Sequence, residues 1–180
     1  MKLKLKKGTR KGIRQRWMTN SLGIVFLIVA LAVTAFSVAM GSYYYSTMTS
    51  GLQARAENVV EFLSNYTTQR EYYQWAVGYI NSSDKGLDGV EVQFLDTNGA
   101  IRFSSFGLTA YSAPGTPDVA GALASENPQT TSWTGNNPST GEHIMAVSVP
   151  QLRGGRPVAV VRYVTSLRLV DRHMNVMIEL

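Results

Sequence analysis

Apolar positions run almost without interruption near the start of the chain. Residues 22–40 (LGIVFLIVALAVTAFSVAM) are nearly all apolar, and no Asp, Glu, Lys or Arg lies between Trp17 and Ala54. About 20 residues, each rising about 1.5 Å, cross the roughly 30 Å of hydrocarbon in a bilayer. The pattern therefore predicts one transmembrane helix over residues 18–42.

After this run the apolar positions adopt a helical period. From residue 46 to residue 80 they recur at alternating steps of four and three residues, which predicts one long helix or two in sequence. Gly51, Gly78 and residues 64–68 are the places where this helix could bend or break. The apolar stripe either packs on the domain's own sheet or pairs with a second subunit. Its members are Met48, Leu52, Val59, Phe62, Tyr66, Tyr73, Ala76 and Ile80.

From residue 89 the period changes to two, which is typical of half-buried strands. Apolar residues alternate through residues 90–95 and again through residues 100–105, where we expect Arg102 on the face opposite Ile101 and Phe103. The intervening Asp-Thr-Asn-Gly supplies residues that tolerate the positive φ angles of a tight turn. The segment is therefore a predicted β-hairpin.

The rest of the domain alternates turn-rich and strand-like segments. Residues 106–117 are rich in Gly, Ser and Pro and predict a loop, after which the Asp118 carboxylate is expected to cap a short helix over residues 119–125. Ser166 is the expected N-cap of a last helix. Three further strands are predicted over residues 130–134, 142–149 and 157–165.

Together these elements predict an α+β fold. A transmembrane helix continues into a long helix that packs on a five-stranded antiparallel sheet, arranged as a meander, and an exit helix follows. That last helix leads toward a predicted second transmembrane segment, or is a free amphipathic helix. The predicted organisation is a basic tail (1–17), a transmembrane helix (18–42), an extracytoplasmic domain (43–165) and the exit helix (166–180).

Charge is segregated along the chain. Residues 1–17 hold eight of the 17 Lys and Arg and no Asp or Glu, whereas the remainder holds 9 basic and 12 acidic residues, a net charge of −3. Basic runs also bind nucleic acid, but this one adjoins an apolar span, where Lys and Arg mark the cytoplasmic side. We expect a single-pass protein of the cell membrane with a cytoplasmic N-terminus, an extracytoplasmic domain and no nucleic-acid partner.

A cleaved signal peptide is the competing interpretation of the apolar run, with Ser37, Val38 and Ala39 as the cleavage site. The run is longer than the roughly 7 to 15 residues of a signal peptide's apolar region. No polar break precedes the small residues. A retained transmembrane helix is therefore the favoured interpretation.

Two stretches carry a resemblance to a known family. Residues 90–105 (VEVQFLDTNGAIRFSS) resemble the first hairpin of extracytoplasmic Cache-type, PAS-like sensor domains, and residues 154–171 (GGRPVAVVRYVTSLRLVD) resemble their last strand and exit helix. The layout is similar to the N-terminal sensory region of bacterial membrane-bound histidine kinases. The resemblance implies a homodimeric receptor for an unknown small-molecule or envelope signal, with Thr165 and Ser166 in the relay to a cytoplasmic, ATP-dependent kinase.

The chain departs from such kinases in one respect. It has no phospho-acceptor His followed by Glu and Pro, and no Asn- and Gly-rich ATP-binding boxes; His173 lies in His-Met-Asn-Val-Met. This segment is therefore not expected to be an enzyme by itself.

Candidate chemistry is sparse. The chain has two His, no Cys and 12 carboxylates, and lacks Walker-type, Gly-x-Ser-x-Gly and His-Glu-x-x-His motifs, so we expect no catalytic residues, metal or cofactor. His143 is expected to be a half-buried strand residue. The sequence favours a ligand pocket over a catalytic site. Arg102 and Arg162 would each either clamp a carboxylate or extend to the edge of the sheet. The candidate ligand-binding residues are Arg102, Tyr111, Trp133, Arg162 and Tyr163.

Other protein classes share parts of this layout. The input domain of a chemoreceptor or nucleotide cyclase would have the same pattern, because such modules serve many outputs. A free-standing, membrane-anchored envelope protein is a further alternative. A type IV pilin also joins an apolar helix to a β domain, but it needs a Glu near the start of that helix, and none lies between Trp17 and Ala54.

Overall fold

The computed structural model describes residues 12–66, 68–82, 89–107, 112–168 and 170. Its first element is a continuous helix, α1 (Ile13–Ser64), which contains the predicted transmembrane run. This helix is long and apolar enough to cross a membrane, and the apolar side chains of its first half are exposed. The long apolar helix is therefore confirmed. Its topology stays a prediction.

A second helix, α2 (Gln69–Ser82), follows α1 after a break at the predicted residues 64–68. The Thr68 Oγ1 accepts the backbone N–H of Glu71, and the Glu71 carboxylate accepts the backbone N–H of Thr68, both at 3.3 Å. This reciprocal capping box satisfies two donors that the helix start leaves without partners. Gly51 and Gly78 lie within the helices and do not break them.

Five strands form one antiparallel sheet in the order β2-β1-β5-β4-β3, so the five-stranded antiparallel sheet is confirmed. The predicted meander is wrong, because the last strand lies between the first and the fourth. A short helix, α3 (Pro117–Ala122), lies in the connection between the two edge strands. The strands are β1 (Val90–Leu95), β2 (Ile101–Ser104), β3 (Thr131–Asn136), β4 (His143–Arg153) and β5 (Arg156–Ser166).

The hairpin between β4 and β5 is longer than predicted. Its strands extend to Arg153 and begin again at Arg156, so the turn contains only Gly154 and Gly155. Both glycines have positive φ angles, 60° and 76°. Glycine adopts this conformation without the steric cost of a side chain, which permits a two-residue turn where a longer loop was expected.

The first face of the sheet is covered by residues 45–63 of α1 and by α2. Their side chains pack on Phe94, Val147, Val161 and other apolar residues of β1, β4 and β5. The stripe of α1 thus packs on the domain's own sheet, and the homodimer stays a prediction. Phe62 was expected in the stripe, but it is exposed and Leu63 is buried instead. The predicted steps of four and three residues average about 3.5, whereas an α-helix has about 3.6 residues per turn, so the predicted stripe drifts away from the buried face.

The hairpin β1–β2 contains a bulge. Phe94 pairs with Phe103, yet Leu95 pairs with Ile101, so one extra residue lies in β2. Phe103 therefore packs against the core on the helix side, whereas Ile101 packs with Leu95 and Val160 in a separate cluster. The expectation that Ile101 and Phe103 share a face is wrong, because a bulge resets the alternation.

Candidate functional site

A row of polar residues crosses the second face of the sheet, opposite α1 and α2. One residue from each strand lies in register with its neighbours, from Ser104 through Gln93, Arg162 and Ser148 to Thr131. Apolar clusters flank this row on both sides. We call these five residues the polar row. It places hydrogen-bonding groups between two apolar clusters on this face of the sheet.

Arg162 is the centre of the polar row and is only 2% exposed. Its Nε donates to Asp118 Oδ2 at 2.7 Å, and its Nη1 donates to Gln93 Oε1 at 2.9 Å. Its Nη2 donates to Thr116 Oγ1 at 3.1 Å. Arg162 therefore clamps a carboxylate of its own chain. It does not extend to the sheet edge, because β5 is the central strand.

Asp118 reaches the polar row from α3. It was expected to cap this helix, but Thr116 holds the N-cap position and Pro117 begins the helix. The Asp118 side chain is completely buried, and its Oδ2 accepts hydrogen bonds from Arg162 and from Ser148 Oγ at 2.8 Å. Its Oδ1 has no hydrogen-bond partner among the described residues. The prediction that Asp118 caps the helix was therefore wrong, because a buried counter-charge attracts the carboxylate more strongly than exposed backbone N–H groups do.

Glu91 extends the network beside the polar row. Its Oε1 accepts hydrogen bonds from Gln93 Nε2 at 2.8 Å and from Ser104 Oγ. Glu91 is 7% exposed, so the network contains two buried carboxylates and one buried guanidinium. When all three groups are ionised, these charges sum to −1. A buried negative charge that is not compensated within the protein favours a cationic ligand.

A cleft opens next to this network. Its volume is about 570 Å³, and Thr116 both lines it and accepts the Arg162 hydrogen bond. The cleft lies between the β1–β2 turn and α3. Its walls are mainly apolar and are formed by Asn98, Gly99, Ala113, Gly115, Thr116, Pro117, Val119, Ala120 and Leu123.

Arg102 lies apart from the polar row and binds Asp96 instead. Its Nη2 is 2.7 Å from Asp96 Oδ2, and its side chain is one-third exposed. The same carboxylate accepts the backbone N–H groups of Asn98 and Ala100. Burial alone would raise the pKa of Asp96, but the N–H groups of Ala100 and Asn98, with Arg102, outweigh it and lower this pKa. The pair holds the predicted turn, in which Gly99 has a φ of 77°.

Replacing Asp96 by Asn should lower the free energy of unfolding by about 1 kcal/mol at neutral pH, because the hydrogen bonds lose their charged acceptor. A carboxylate whose pKa lies below its ordinary 3.8 stabilises the fold above that pH, and the contribution disappears as the pH falls through the lowered pKa. Denaturant unfolding at several pH values measures the contribution of the Asp96 carboxylate to the free energy of unfolding. The control is Glu126→Gln at an exposed carboxylate. The prediction would be contradicted if the difference in the free energy of unfolding between Asp96→Asn and the native chain grew toward low pH.

The other candidate ligand-binding residues do not gather around Arg162. Trp133 on β3 packs beside Ile144, Ala146 and Val164. Tyr163 is buried on the helix side of the sheet, where its hydroxyl contacts that of Tyr79 at 2.7 Å. Tyr111 lies outside the described residues. Because Arg162 and Tyr163 point to opposite faces, they cannot line one pocket.

The relay residues lie at the end of β5. Thr165 pairs with Val90 and Met145 in the sheet. Ser166 is the last residue of the strand; its Oγ donates to the Glu142 carboxylate and accepts the backbone N–H of Arg168 at 3.3 Å. This contact suits the predicted N-cap, and residues 168 and 170 are helical. The rest of the predicted exit helix, including His173, lies outside the described residues.

Most of the network was missed from the sequence. Glu91, Gln93 and Ser148 lay in predicted strands and Thr116 in a predicted loop, and none of them was named as a site residue. One signal was available: strands β1, β4 and β5 each carry a polar residue amid apolar neighbours. Among the residues that the structure describes, no three His, Cys, Asp or Glu residues gather in a way that could hold a metal ion.

Comparison with known proteins identifies the fold. No protein-family model and no curated protein matches the chain. The ligand-binding domain of a Campylobacter jejuni chemoreceptor in complex with L-valine has a TM-score of 0.60 at 12% identity, over 91% of this chain and 68% of that chain. A domain of a sensory box/GGDEF family protein from Vibrio parahaemolyticus has a TM-score of 0.55 at 10% identity, over 81% and 63%.

The sensor domain of a Vibrio cholerae histidine kinase has a TM-score of 0.57 at 9% identity, over 83% of this chain and 59% of that chain. This chain therefore spans about two thirds of the length of the solved domains that it resembles. At such low identity the likeness is one of fold. The chain has the Cache-like α+β fold of extracytoplasmic sensor domains, with a long N-terminal helix on a five-stranded antiparallel sheet.

Proposed function

We propose that this chain is the sensing and transmembrane relay region of a bacterial receptor, and that Asp118, together with the polar row, binds a small molecule carrying an amine. One observation carries the proposal. Asp118 is completely buried, and its Oδ1 has no partner among the described residues. A buried polar atom without a partner costs about 1–3 kcal/mol. An ammonium group would supply the missing hydrogen bond and a positive charge.

The charge of the network supports an amine. Asp118 and Glu91 outnumber Arg162, so a cation entering from the cleft beside Thr116 would compensate the excess negative charge. The similar domain of the Campylobacter jejuni chemoreceptor was crystallised with L-valine, which carries an ammonium group. Amino acids are therefore the first ligands to test.

The route of the signal follows β5. This strand holds Arg162 in its middle and ends at Ser166, where the exit helix begins. A ligand that changes how Arg162 and Asp118 are paired would displace the strand and hence that helix. Two arrangements of the helices, one of which binds the ligand better, would meet the thermodynamic requirement for a switch.

The output that we favour is an ATP-dependent histidine kinase located outside this segment, in a homodimer anchored in the cell membrane with a cytoplasmic N-terminus. The input region of a chemoreceptor or nucleotide cyclase is the second candidate, since solved domains of several outputs share the fold. No catalysis is assigned to residues 1–180. The coding sequence that follows Leu180 in the gene distinguishes these outputs.

Binding of amino acids tests the proposal. The full chain in lipid nanodiscs is titrated calorimetrically with the common amino acids, starting with L-valine, and with 3-methylbutanoate, which lacks the amine. We expect Glu91→Gln to weaken binding of the amine by tenfold or more. Even about 10 Å apart, opposite unit charges interact by about 1.7 kcal/mol at an effective dielectric constant of about 20, which corresponds to more than tenfold in affinity.

Ser104→Ala is the matched control, because it removes a hydrogen bond to Glu91 without removing the charge. It should change the affinity much less than Glu91→Gln does. Equal affinity for L-valine and 3-methylbutanoate, or an unchanged affinity in the Glu91→Gln variant, would contradict an amine site. Absence of binding by every amino acid would contradict it as well.

A further inference from the structure

A second cleft lies on the helix side of the sheet, away from the polar row. It has a volume of about 150 Å³ and is bordered by residues between α1 and α2 and by the ends of β1, β4 and β5. A cavity of about 150 Å³ holds an unsubstituted six-membered ring such as benzene, so the substituents of a larger ring would extend through the open side of the cleft. The lining residues are Tyr66, Thr68, Tyr72, Tyr73, Asp96, Gln151, Arg153, Val158 and Ala159.

Gln151 provides an acceptor without a partner. It is only 5% exposed, and its Nε2 donates to the Leu63 carbonyl oxygen at 3.2 Å. Because a carbonyl oxygen accepts only, this contact fixes the orientation of the side-chain amide. The Gln151 Oε1 has no hydrogen-bond partner among the residues described. A bulge after Gln151 shifts the pairing of β4 with β5 at this point.

Tyr72 provides the complementary donor. Its side chain is 8% exposed, and within the described part of the chain its hydroxyl has no hydrogen-bond partner. Burial, and to a lesser extent Tyr73, raises the pKa of Tyr72 far above its ordinary value. The hydroxyl therefore keeps its proton at physiological pH. The cleft thus has an acceptor on one lining residue and a donor on another, neither of which has a hydrogen-bond partner among the described residues.

The charged residues of this cleft are already engaged. Asp96 pairs with Arg102 at 2.7 Å, and Arg153 Nη2 donates to the Tyr66 carbonyl oxygen at 3.0 Å. A neutral ligand therefore suits the site better than a charged one. The aromatic rings of the three tyrosines, together with Val158 and Ala159, provide apolar walls.

We propose that this cleft binds a small neutral polyol built on a six-membered ring, such as a monosaccharide or cyclitol. A hydroxyl group donates and accepts at once, so neighbouring hydroxyls can donate to Gln151 Oε1 and accept from the Tyr72 hydroxyl. The C–H groups of the ring pack on the tyrosine rings. This site is separate from the amine site and does not depend on the proposed function.

Calorimetric titration of the full chain with myo-inositol and with D-glucose tests the site. The chain is held in lipid nanodiscs, because sugar-headed detergents would compete. At least one of these polyols should bind, and Tyr72→Phe should weaken its binding roughly tenfold, as expected for one lost hydrogen bond in a desolvated site. The thermal midpoint of unfolding should not fall in this variant, since the missing hydroxyl has no partner to lose.

Tyr79→Phe is the matched control, because its hydroxyl contacts Tyr163 and not the cleft. It should leave the affinity for the polyol unchanged while lowering the thermal midpoint. Absence of binding by both polyols, or equal affinity in Tyr72→Phe and the native chain, would overturn the proposal. Tighter binding of D-glucuronate than of D-glucose would overturn the preference for a neutral ligand.

Discussion

Replacing Arg162 by Met should lower the free energy of unfolding by about 3–5 kcal/mol, because it leaves a buried carboxylate without its counter-charge. Asp118 is fully buried, and only one of its two oxygens has partners in the described structure. The replacement also removes the donors to Gln93 and Thr116. Denaturant unfolding of the full chain, followed by tryptophan fluorescence, measures the loss.

Two variants control this result. Arg102→Met removes an arginine whose side chain is one-third exposed, and it should cost about 1 kcal/mol or less, as exposed ion pairs do. The double variant Arg162→Met with Asp118→Leu should recover much of the lost stability, since it leaves no unpaired charge. Equal losses in the two arginine variants, or additive losses in the double variant, would contradict the assigned role of the buried pair.

Replacing Ser166 by Pro should abolish the response to ligand in a receptor that carries this segment and a kinase output, while export and ligand binding persist. Proline fixes φ near −65° and cannot donate its backbone nitrogen, so the change is confined to the junction between β5 and the exit helix. The measurement compares kinase phosphorylation with and without ligand. We expect a complete loss of the ligand-dependent change.

Ser166→Ala is the graded control, because it removes the contacts with Glu142 and Arg168 without fixing φ. The loss of a helix cap typically costs about 1 kcal/mol, so a partial response should remain. A normal response in Ser166→Pro would show that the signal does not pass through this junction.

Local patterns accounted for much of the fold. The uncharged apolar run predicted the long first helix, and the Asp-Thr-Asn-Gly turn predicted the hairpin that Asp96 and Gly99 form. Both features are set by residues that are close in sequence. The break at residues 64–68 belongs to the same class, since Thr68 and Glu71 form a capping box within a single turn.

Long-range features could not be predicted in this way. Arg162 lies 44 residues from Asp118 and 69 residues from Gln93 in the sequence, and local sequence patterns do not indicate such distant contacts. The position of β5 between β1 and β4 likewise depends on the global packing. The bulge at Phe94 and Leu95 shifted the alternation by one residue and so separated Ile101 from Phe103. Arg162 is therefore the one residue of this network that the sequence analysis named as a candidate.

A crystal structure of the chain with its tightest-binding amino acid tests most directly whether Asp118 and the polar row of this Cache-like sheet bind an amine. We expect the ammonium group about 2.7–3.2 Å from Asp118 Oδ1, on the face of the sheet opposite α1 and α2. An amino acid bound on the helix face, or on the correct face with its carboxylate toward Asp118, would contradict it.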